Sequence, residues 1–217
     1  MLFNDISPKK YFITATDTGA GKTFITVELG KHFQSLGYKT GAMKPFSSGG
    51  RQDPEILKKL MEQGDELDLI NPVWFEQPMA PYACLLEEGS GVRCQVSEKI
   101  NPARMLKKIK TAYEELSSKY DILLVEGIGG ALVPLWENYY VADLIKEMEL
   151  PALIVARAGL GTLNHTFMTI EALKKRNINI AGIILNGFSG KEYAERTNRR
   201  VIEELSKIPV IAEVPFH

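Results

Sequence analysis

Short runs of apolar, strand-forming residues alternate along the chain with longer stretches in which apolar residues recur at helical spacing. The runs that predict strands are Tyr11–Ala15, Lys39–Met43, Ile122–Glu126, Ala152–Ala156, Ile180–Leu185 and Val210–Val214. The stretches that predict helices are Lys22–Leu36, Pro54–Gln63, Pro102–Lys119, Val141–Glu149, Thr162–Arg176 and Lys191–Lys207. This alternation is typical of parallel strands that are joined by helical crossovers.

Several of the predicted strands are apolar at every position instead of at every second one. Ile122 to Val125 and Leu153 to Val155 are the clearest examples. Strands of this kind are buried on both faces, as in a parallel sheet covered by helices. The pattern predicts an α/β domain of three layers with a mostly parallel central sheet, in which ligands bind beyond the carboxyl ends of the strands.

The segment from Leu69 to Ser97 has the least regular pattern and contains three prolines. Long connections without periodicity are uncommon in compact domains and are often functional. We expect this segment to form a functional loop or a small lid.

Composition favours one domain over residues 1–217, since 45% of the residues are hydrophobic and suffice for a full core. The formal net charge of −1 argues against a basic surface for nucleic acid or anionic membrane. No apolar run approaches the ~18 residues of a membrane span, and the N-terminus lacks a signal-like core. Two cysteines, Cys84 and Cys94, are interpreted as reduced thiols. We expect a cytoplasmic protein.

The first predicted strand leads directly into a glycine-containing turn, Thr16 to Thr23, that reads TDTGAGKT. In a P-loop, successive backbone N–H groups and the start of the following helix bind phosphate oxygens. Gly19 and Gly21 let the backbone approach the anion closely. Lys22 supplies an ammonium for the terminal phosphates, and the Thr23 hydroxyl is suited to Mg²⁺.

Thr16 stands where the usual P-loop pattern has its first glycine. The alternative is an ordinary turn between strand and helix that binds nothing. The intact Gly-Lys-Thr and its flanking elements favour a nucleoside triphosphate site, and hence a P-loop NTPase-like domain.

Two charged residues close other predicted strands. Lys44 follows the second strand, where an ammonium can stabilise charge on a transferring phosphoryl group, although most lysines are simply solvated. Glu126 ends the third strand beside the P-loop strand, a position suited to a carboxylate linked to Mg²⁺ or to a structural cation partner. Asp53 precedes Pro54, so the pattern fits a helix N-cap and a metal-linked carboxylate equally well.

The stretch from Gly159 to His165 joins a strand to a helix through two glycines. The free N–H groups at such a helix start could bind a carboxylate. The alternative is a plain turn with Thr162 as N-cap and His165 as a structural histidine.

Taken in order, TDTGAGKT, MKPFSSG, RQDP, LVEGIGG, GLGTLNHT and ILNG resemble the dethiobiotin synthetase family over nearly the whole chain, from about Tyr11 to Phe216. Asn71-Pro72 and the segment from Gln77 to Tyr82 resemble parts of that family near its substrate. The resemblance implies a carbon–nitrogen cyclo-ligase of biotin biosynthesis. Its substrates are 7,8-diaminononanoate, carbon dioxide and ATP, and its products are dethiobiotin, ADP and phosphate.

The same resemblance implies a route and a set of residue roles. A carbamate of the diamine attacks the γ-phosphate, and the second amine closes the ring on the resulting carbamic–phosphoric anhydride. The implied catalytic residues are Lys44, Lys22 and Thr18, and the implied Mg²⁺ set is Thr23, Asp53 and Glu126.

The implied binding residues fall into two groups. Those for the nucleotide are Gly19, Ala20, Gly21, Lys22, Thr23, Phe24, Asp53, Glu126, Gly127, Ile128, Gly129, Asn186, Gly187, Pro215 and Phe216. Those for the diamine are Ser48, Gly129, Gly130, Gly161, Thr162, Leu163 and Asn164. The last four come from a neighbouring subunit in this family, which implies a homodimer with composite sites and neither nucleic acid nor membrane as a partner.

The chain departs from the family at two P-loop positions, with Ala15 in place of a frequent glycine and Gly19 in place of a frequent acidic residue. ATP is the expected nucleotide, although the short segment after Val214 leaves base selectivity open.

Two other classes share this P-loop style. A cobyrinate-type amidotransferase would need a glutaminase region, and neither Cys84 nor Cys94 lies in a nucleophile turn. A partition or septum-positioning ATPase would carry a signature lysine in its P-loop, where this chain has Asp17 and Thr18. Dependence of turnover on a diamine, as opposed to DNA or lipid, discriminates among these classes.

Overall fold

The computed structural model describes residues 3, 6–7, 9–61, 64–87 and 101–215. The strands are β1 (Tyr11–Ala15), β2 (Thr40–Met43), β3 (Phe46–Ser48), β4 (Val73–Phe75), β5 (Ile122–Glu126), β6 (Pro134–Trp136), β7 (Tyr139–Tyr140), β8 (Ala152–Arg157), β9 (Ile180–Phe188) and β10 (Val210–Pro215). The helices are α1 (Lys22–Ser35), α2 (Gln52–Leu60), α3 (Leu67–Ile70), α4 (Pro81–Leu86), α5 (Pro102–Lys119), α6 (Val141–Glu147), α7 (Thr162–Lys174) and α8 (Tyr193–Ser206).

The central sheet has the strand order β10-β9-β8-β1-β5-β2. Each neighbouring pair in it is parallel, with Phe12 opposite Val125 on one side and opposite Ala152 on the other. Two small two-stranded sheets accompany it, β3–β4 parallel and β6–β7 antiparallel. The predicted mostly parallel α/β sheet is therefore confirmed.

Side chains of the central strands enter two separate hydrophobic layers. Phe12 and Val125 pack on one face with residues of α5, α6 and α7, whereas Ile13 and Leu124 pack on the other with residues of α1. Successive strand residues point to opposite faces, so a strand with apolar residues at every position is buried by helices on both sides. This explains the continuous apolar runs.

The carboxyl ends of these parallel strands meet along one edge of the sheet, and the site is built there. The P-loop follows β1, Lys44 follows β2, and Glu126 ends β5. Because β1 lies between β8 and β5, the loop after β1 opens onto the point at which the strand order changes direction.

The six predicted strands and six predicted helices are all present, with bounds that differ by a few residues. The predicted irregular segment instead contributes β4 and α4 between Leu69 and Glu87. These elements are too short for a periodic pattern and depend on partners elsewhere, such as β3 for β4.

Gln63, Cys94, Ser97 and Phe216, which entered the sequence predictions, lie outside the described residues. None of the helices in the described ranges combines the length and the apolarity that a bilayer crossing requires.

Candidate nucleotide and phosphoryl-transfer site

The P-loop turns into α1 through two glycines with left-handed backbone. Gly19 has a φ of 75° and Gly21 a φ of 92°, and Gly21 is the N-cap of α1 with no side-chain cap. A Cβ at Gly21 would lie 2.1 Å from Nδ2 of Asn186, so this position also has no room for a side chain. The first N–H groups of α1 are left for an anion.

Lys44 is the centre of the charged part of the site. Its side chain is 3% exposed, and its Nζ donates to Asp53 Oδ2 at 2.9 Å and to Glu126 Oε1. The Thr23 hydroxyl donates to the same Glu126 oxygen at 2.8 Å. Residues from the P-loop helix, β5, α2 and the end of β2 therefore meet in one hydrogen-bonded cluster.

The two lysines of the site differ in their protonation. Burial alone would lower the pKa of Lys44, but Glu126 and Asp53 together raise it above its ordinary value. Burial, and then repulsion from Lys44, lower the pKa of Lys22 to about 8. Burial would raise the pKa of Asp53, yet the Lys44 ammonium keeps it below its ordinary value. Lys44 thus stays charged at neutral pH, whereas Lys22 loses its proton at about pH 8.

The residues at this point fit a magnesium ion. Glu126 is fully buried, and its Oε2 has no hydrogen-bond partner among the described atoms, which is costly unless a cation is bound. Thr23 and Asp53 lie beside it through their hydrogen bonds to Glu126 and Lys44. The described part of the chain has no cluster of three His, Cys, Asp or Glu for a metal. Mg²⁺ needs only one or two carboxylates when phosphates and waters complete its shell.

These residues enclose a pocket of about 240 Å³ at the P-loop. Its walls include the predicted residues Thr18, Gly19, Gly21, Lys22, Thr23, Phe24, Lys44, Ser48, Asp53, Ile128 and Gly129. We call it the phosphate pocket.

Asp53 lies in the first turn of α2, whose N-cap is Arg51, so the prediction that Asp53 is an N-cap is wrong.

A larger pocket of about 650 Å³ adjoins the P-loop on the β8–β9 side, and we call it the nucleoside pocket. It contains the predicted residues Gly19, Ala20, Phe24, Asn186, Gly187 and Pro215. Asn186 Nδ2 donates to the Ala20 carbonyl at 2.9 Å, so this side chain also holds the P-loop.

A third pocket, of about 330 Å³, lies on the other side of Thr16 to Thr18 and includes Gly130 and His165. The predicted residues Gly161, Thr162, Leu163 and Asn164 are not among the described residues that line any of these three pockets. Gly161, with a φ of 90°, is the N-cap of α7, so Thr162 is not the cap.

Gly127 is held away from these pockets. Its amide donates to the Ile13 carbonyl at 2.9 Å, and a Cβ there would lie 2.8 Å from the Phe12 ring. Gly127 therefore serves close packing between β5 and β1.

The sequence predictions assigned no contact to three residues at the site, although Asn71 belongs to a segment that resembles the family near its substrate. Asn71 is fully buried: it accepts from Ser47 Oγ at 2.9 Å and donates to the Lys44 carbonyl at 2.7 Å. Ser47 lines the phosphate pocket, and Arg157 lines the nucleoside pocket. Arg157 closes an apolar strand, the same signal that identified Glu126, whereas nothing in the local pattern marks Asn71 as a hub.

Comparison with known proteins gives two kinds of match. An AAA-domain family model matches residues 9–217. A protein of Aquifex aeolicus named ATP-dependent dethiobiotin synthetase is 45% identical over 94% of this chain and 90% of its own length. One of the same name from Methanocaldococcus jannaschii is 39% identical over 94% and 92%.

Solved structures resemble the fold at low sequence identity. The signal recognition particle 54 kDa protein of Aeropyrum pernix, in complex with GDP, has a TM-score of 0.58 and 16% identity, over 98% of this chain and 42% of that one. The MinC:MinD complex of Aquifex aeolicus has a TM-score of 0.55 and 19% identity, over 96% and 82%. At such identities these matches show the P-loop NTPase fold alone.

Proposed function

The chain belongs to the ATP-dependent dethiobiotin synthetase family, and from this premise we propose how its residues carry out the family's reaction. The enzyme is a carbon–nitrogen cyclo-ligase of biotin biosynthesis. It converts 7,8-diaminononanoate, carbon dioxide and ATP to dethiobiotin, ADP and phosphate. The observation that carries the proposed mechanism is the buried Lys44 ammonium between Asp53 and Glu126 at the mouth of the P-loop.

The chemistry needs charge compensation more than it needs a nucleophilic side chain. One amine and carbon dioxide form a carbamate with loss of a proton, and a carbamate oxygen then attacks the γ-phosphorus as ADP leaves. The second amine attacks the carbamoyl carbon, expels phosphate and closes the ring. Positioning and electrostatic stabilisation dominate phosphoryl transfer of this kind.

Lys22 and Lys44 are proposed to flank the γ-phosphate and the carbamate. Both line the phosphate pocket, and Lys44 is held rigidly because two carboxylates fix its ammonium. A preorganised charge needs little rearrangement in the transition state. Thr18 is proposed to hydrogen-bond the reacting groups, and Ser48 to hold the diamine or its carbamate.

Thr23, Asp53 and Glu126 are proposed to hold Mg²⁺, directly or through water. The unpartnered Glu126 Oε2 supports this assignment. When bound, the ion would supply positive charge that neutralises part of the charge of the phosphates. Glu126 also has a second role, because its carboxylate is the anionic partner that keeps the buried Lys44 ammonium charged.

The nucleoside pocket is proposed to hold the adenosine part of ATP, with Asn186, Gly187 and Pro215 near the base. Its volume of about 650 Å³ supports loose base selectivity. We further propose the cytoplasm as the location of the enzyme, in keeping with its metabolic role.

A homodimer with composite sites is proposed from the surface around the third pocket. Leu132 and Met168, which line the third pocket, are 49% and 57% exposed, and Leu160, which lines the nucleoside pocket, is 89% exposed. Exposed apolar residues of this size are typical of an interface. Gly161 to Asn164 lie next to Leu160 and line no described pocket of their own chain. They are proposed to meet the diamine carboxylate in a partner's site.

The proposed reaction is tested by measuring phosphate release with MgATP and bicarbonate, with and without 7,8-diaminononanoate. The mass of the product is determined by mass spectrometry. Phosphate release that requires the diamine and gives the mass of dethiobiotin supports the proposal. Nucleotide binding together with phosphate release that does not depend on the diamine would contradict the proposal. The partition or septum-positioning ATPase and the cobyrinate-type amidotransferase would then have to be tested.

The composite site is tested by mixing Lys44→Ala and Asn164→Ala under conditions that exchange subunits, at a diamine concentration at which neither variant alone turns over. Mixed dimers would contain one site with both residues intact. We expect recovery of about a quarter of wild-type activity, because half of the dimers are mixed and each has one good site. No recovery, with exchange verified by mass, would contradict the proposal.

A further inference from the structure

Arg157 is the charged end of an otherwise buried strand, and nothing in the reaction described above uses it. The five preceding residues of β8 are buried, whereas the Arg157 side chain is 62% exposed at the carboxyl edge of the sheet. It stands in register with Asn186 of β9. A charged side chain at this edge, beside a residue of the nucleoside pocket, faces the space that a nucleotide would occupy.

Contacts of Arg157 tie it to the P-loop. Its Nη2 donates to the Thr18 carbonyl at 3.2 Å and lies 3.6 Å from Asp17 Oδ2. The same nitrogen would be 3.5 Å from a Cβ on Gly19, an ordinary contact distance, so the guanidinium lies against this part of the loop. The loop and the guanidinium are thus adjacent.

The charge of Arg157 is only weakly compensated by the protein. Its partner Asp17 is 56% exposed, and an exposed pair at such a distance contributes little. Guanidinium has five N–H donors, and Arg157 uses one of them in a hydrogen bond within the described residues. Arg157 is the one basic residue among the described wall residues of the nucleoside pocket, which also include Glu192 and Glu195.

We propose that Arg157 is a nucleotide-binding residue that contacts the phosphate chain where it passes from the nucleoside pocket into the P-loop. The proposal rests on the proposed nucleotide site. It adds a third cation, at the nucleoside end, to Lys22 and Lys44 at the terminal end. The planar fork of an arginine suits two phosphate oxygens at once, which a lysine cannot match.

The test is the dissociation constant of ADP, measured by calorimetry without any diamine, for wild type, Arg157→Gln, Arg157→Lys and a control. Arg200→Gln is the matched control, because Arg200 pairs with Glu204 on α8 and is 82% exposed. We expect Arg157→Gln to weaken ADP binding about tenfold, Arg157→Lys to have a smaller effect, and Arg200→Gln to have none.

Measuring ADP affinity at low and high salt distinguishes a contact between Arg157 and phosphate from a purely structural hydrogen bond to Thr18. If Arg157 meets phosphate at an exposed place, the difference between wild type and Arg157→Gln should shrink at high ionic strength. An effect below twofold, or a loss that is equal at low and high salt, would overturn the proposal. Because no diamine is present, failure here leaves the ligase reaction untouched, and failure of diamine turnover leaves this measurement interpretable.

Discussion

The phosphate pocket and the nucleoside pocket share Gly19 and Phe24, yet their polar side chains are held very differently. In the phosphate pocket, the ammonium of Lys44 is buried and fixed by two carboxylates, one of which also accepts from Thr23. In the nucleoside pocket, Asn186 and Arg157 each make one hydrogen bond to a P-loop carbonyl. In the proposed mechanism the protein therefore preorganises charge where a bond is made and broken, and leaves the binding of the base to shape and few contacts.

Removing the central charge should damage the phosphate pocket most. We expect Lys44→Ala to lower kcat by about a thousandfold, at the upper end for loss of a preorganised transition-state contact. Steady-state dethiobiotin formation measures this. The variant leaves the buried Glu126 carboxylate without the Lys44 ammonium, which lowers stability. The melting temperature of each protein is therefore measured, and rates are compared at a temperature at which both are folded.

The control for this variant is Lys59→Ala, which removes an exposed lysine of α2, the helix that carries Asp53. It should have wild-type activity. A Lys44→Ala enzyme that retains a tenth of wild-type turnover would remove Lys44 from the mechanism.

Neutralising the buried carboxylate should act next most strongly. Glu126→Gln keeps the shape of the side chain but removes the charge that faces both Lys44 and the proposed ion. We expect about a hundredfold lower kcat, with a several-fold higher Mg²⁺ concentration for half-maximal activity. Titration of Mg²⁺ at saturating ATP measures both.

Glu147→Gln is the control for that charge loss, because Glu147 pairs with Lys110 and Tyr139 on the surface. An unchanged Mg²⁺ requirement in Glu126→Gln, together with a lower kcat, would restrict Glu126 to holding Lys44.

The pKa of Lys22, lowered to about 8, predicts that nucleotide binding depends on pH. Below that pH the ammonium attracts phosphate, and above it the protein must take up a proton to bind. We expect the affinity for ADP, whose terminal phosphate has a second pKa near 6, to fall about tenfold between about pH 7 and pH 9. Calorimetry across that range measures it.

Stability should change in the opposite direction over this range. The unfolded chain, with an ordinary lysine pKa of 10.5, binds more protons than the folded one, so this group adds stability as pH rises from about 8. Lys22→Arg should make both stability and ADP affinity less dependent on pH, since arginine stays charged. A wild-type affinity that is constant from about pH 7 to pH 9 would refute the role of Lys22 charge.

The smallest effect is expected in the nucleoside pocket. Asn186→Ala removes one neutral hydrogen bond to the Ala20 carbonyl and a contact with the base, and should raise the KM for ATP about fivefold with kcat unchanged. Turnover with ATP and GTP measures both the loss and the selectivity. A kcat loss as large as that of Lys44→Ala would mean that the two pockets are not separate in function.

Much of this arrangement could be predicted because it depends on local sequence. Apolar runs gave the central strands, and the charged residues directly after them gave Lys44 and Glu126, since parallel strands bring their carboxyl ends to one edge. Gly-Lys-Thr gave the phosphate loop. The role of Asn186 came only from resemblance to a family, and the same resemblance favoured the metal-linked role of Asp53 over an N-cap, which the local pattern had left open.

The rest depends on contacts between distant segments. β3 and β4 are three residues each and are stabilised by pairing with each other. Asn71 reaches the Lys44 carbonyl across 27 residues, and Asn186 reaches Ala20 across 166. No periodicity in a single segment can predict which carbonyl such an amide will find.

The proposed mechanism transfers the γ-phosphoryl group to a carbamate oxygen in the charged pocket. It is tested most directly with ¹⁸O-labelled bicarbonate, MgATP and 7,8-diaminononanoate, followed by mass analysis of the phosphate released in short incubations. Attack by the carbamate predicts one ¹⁸O atom in each phosphate, because the oxygen that joins carbon to phosphorus leaves with phosphorus when the ring closes. Phosphate whose oxygen comes from water instead would contradict the account.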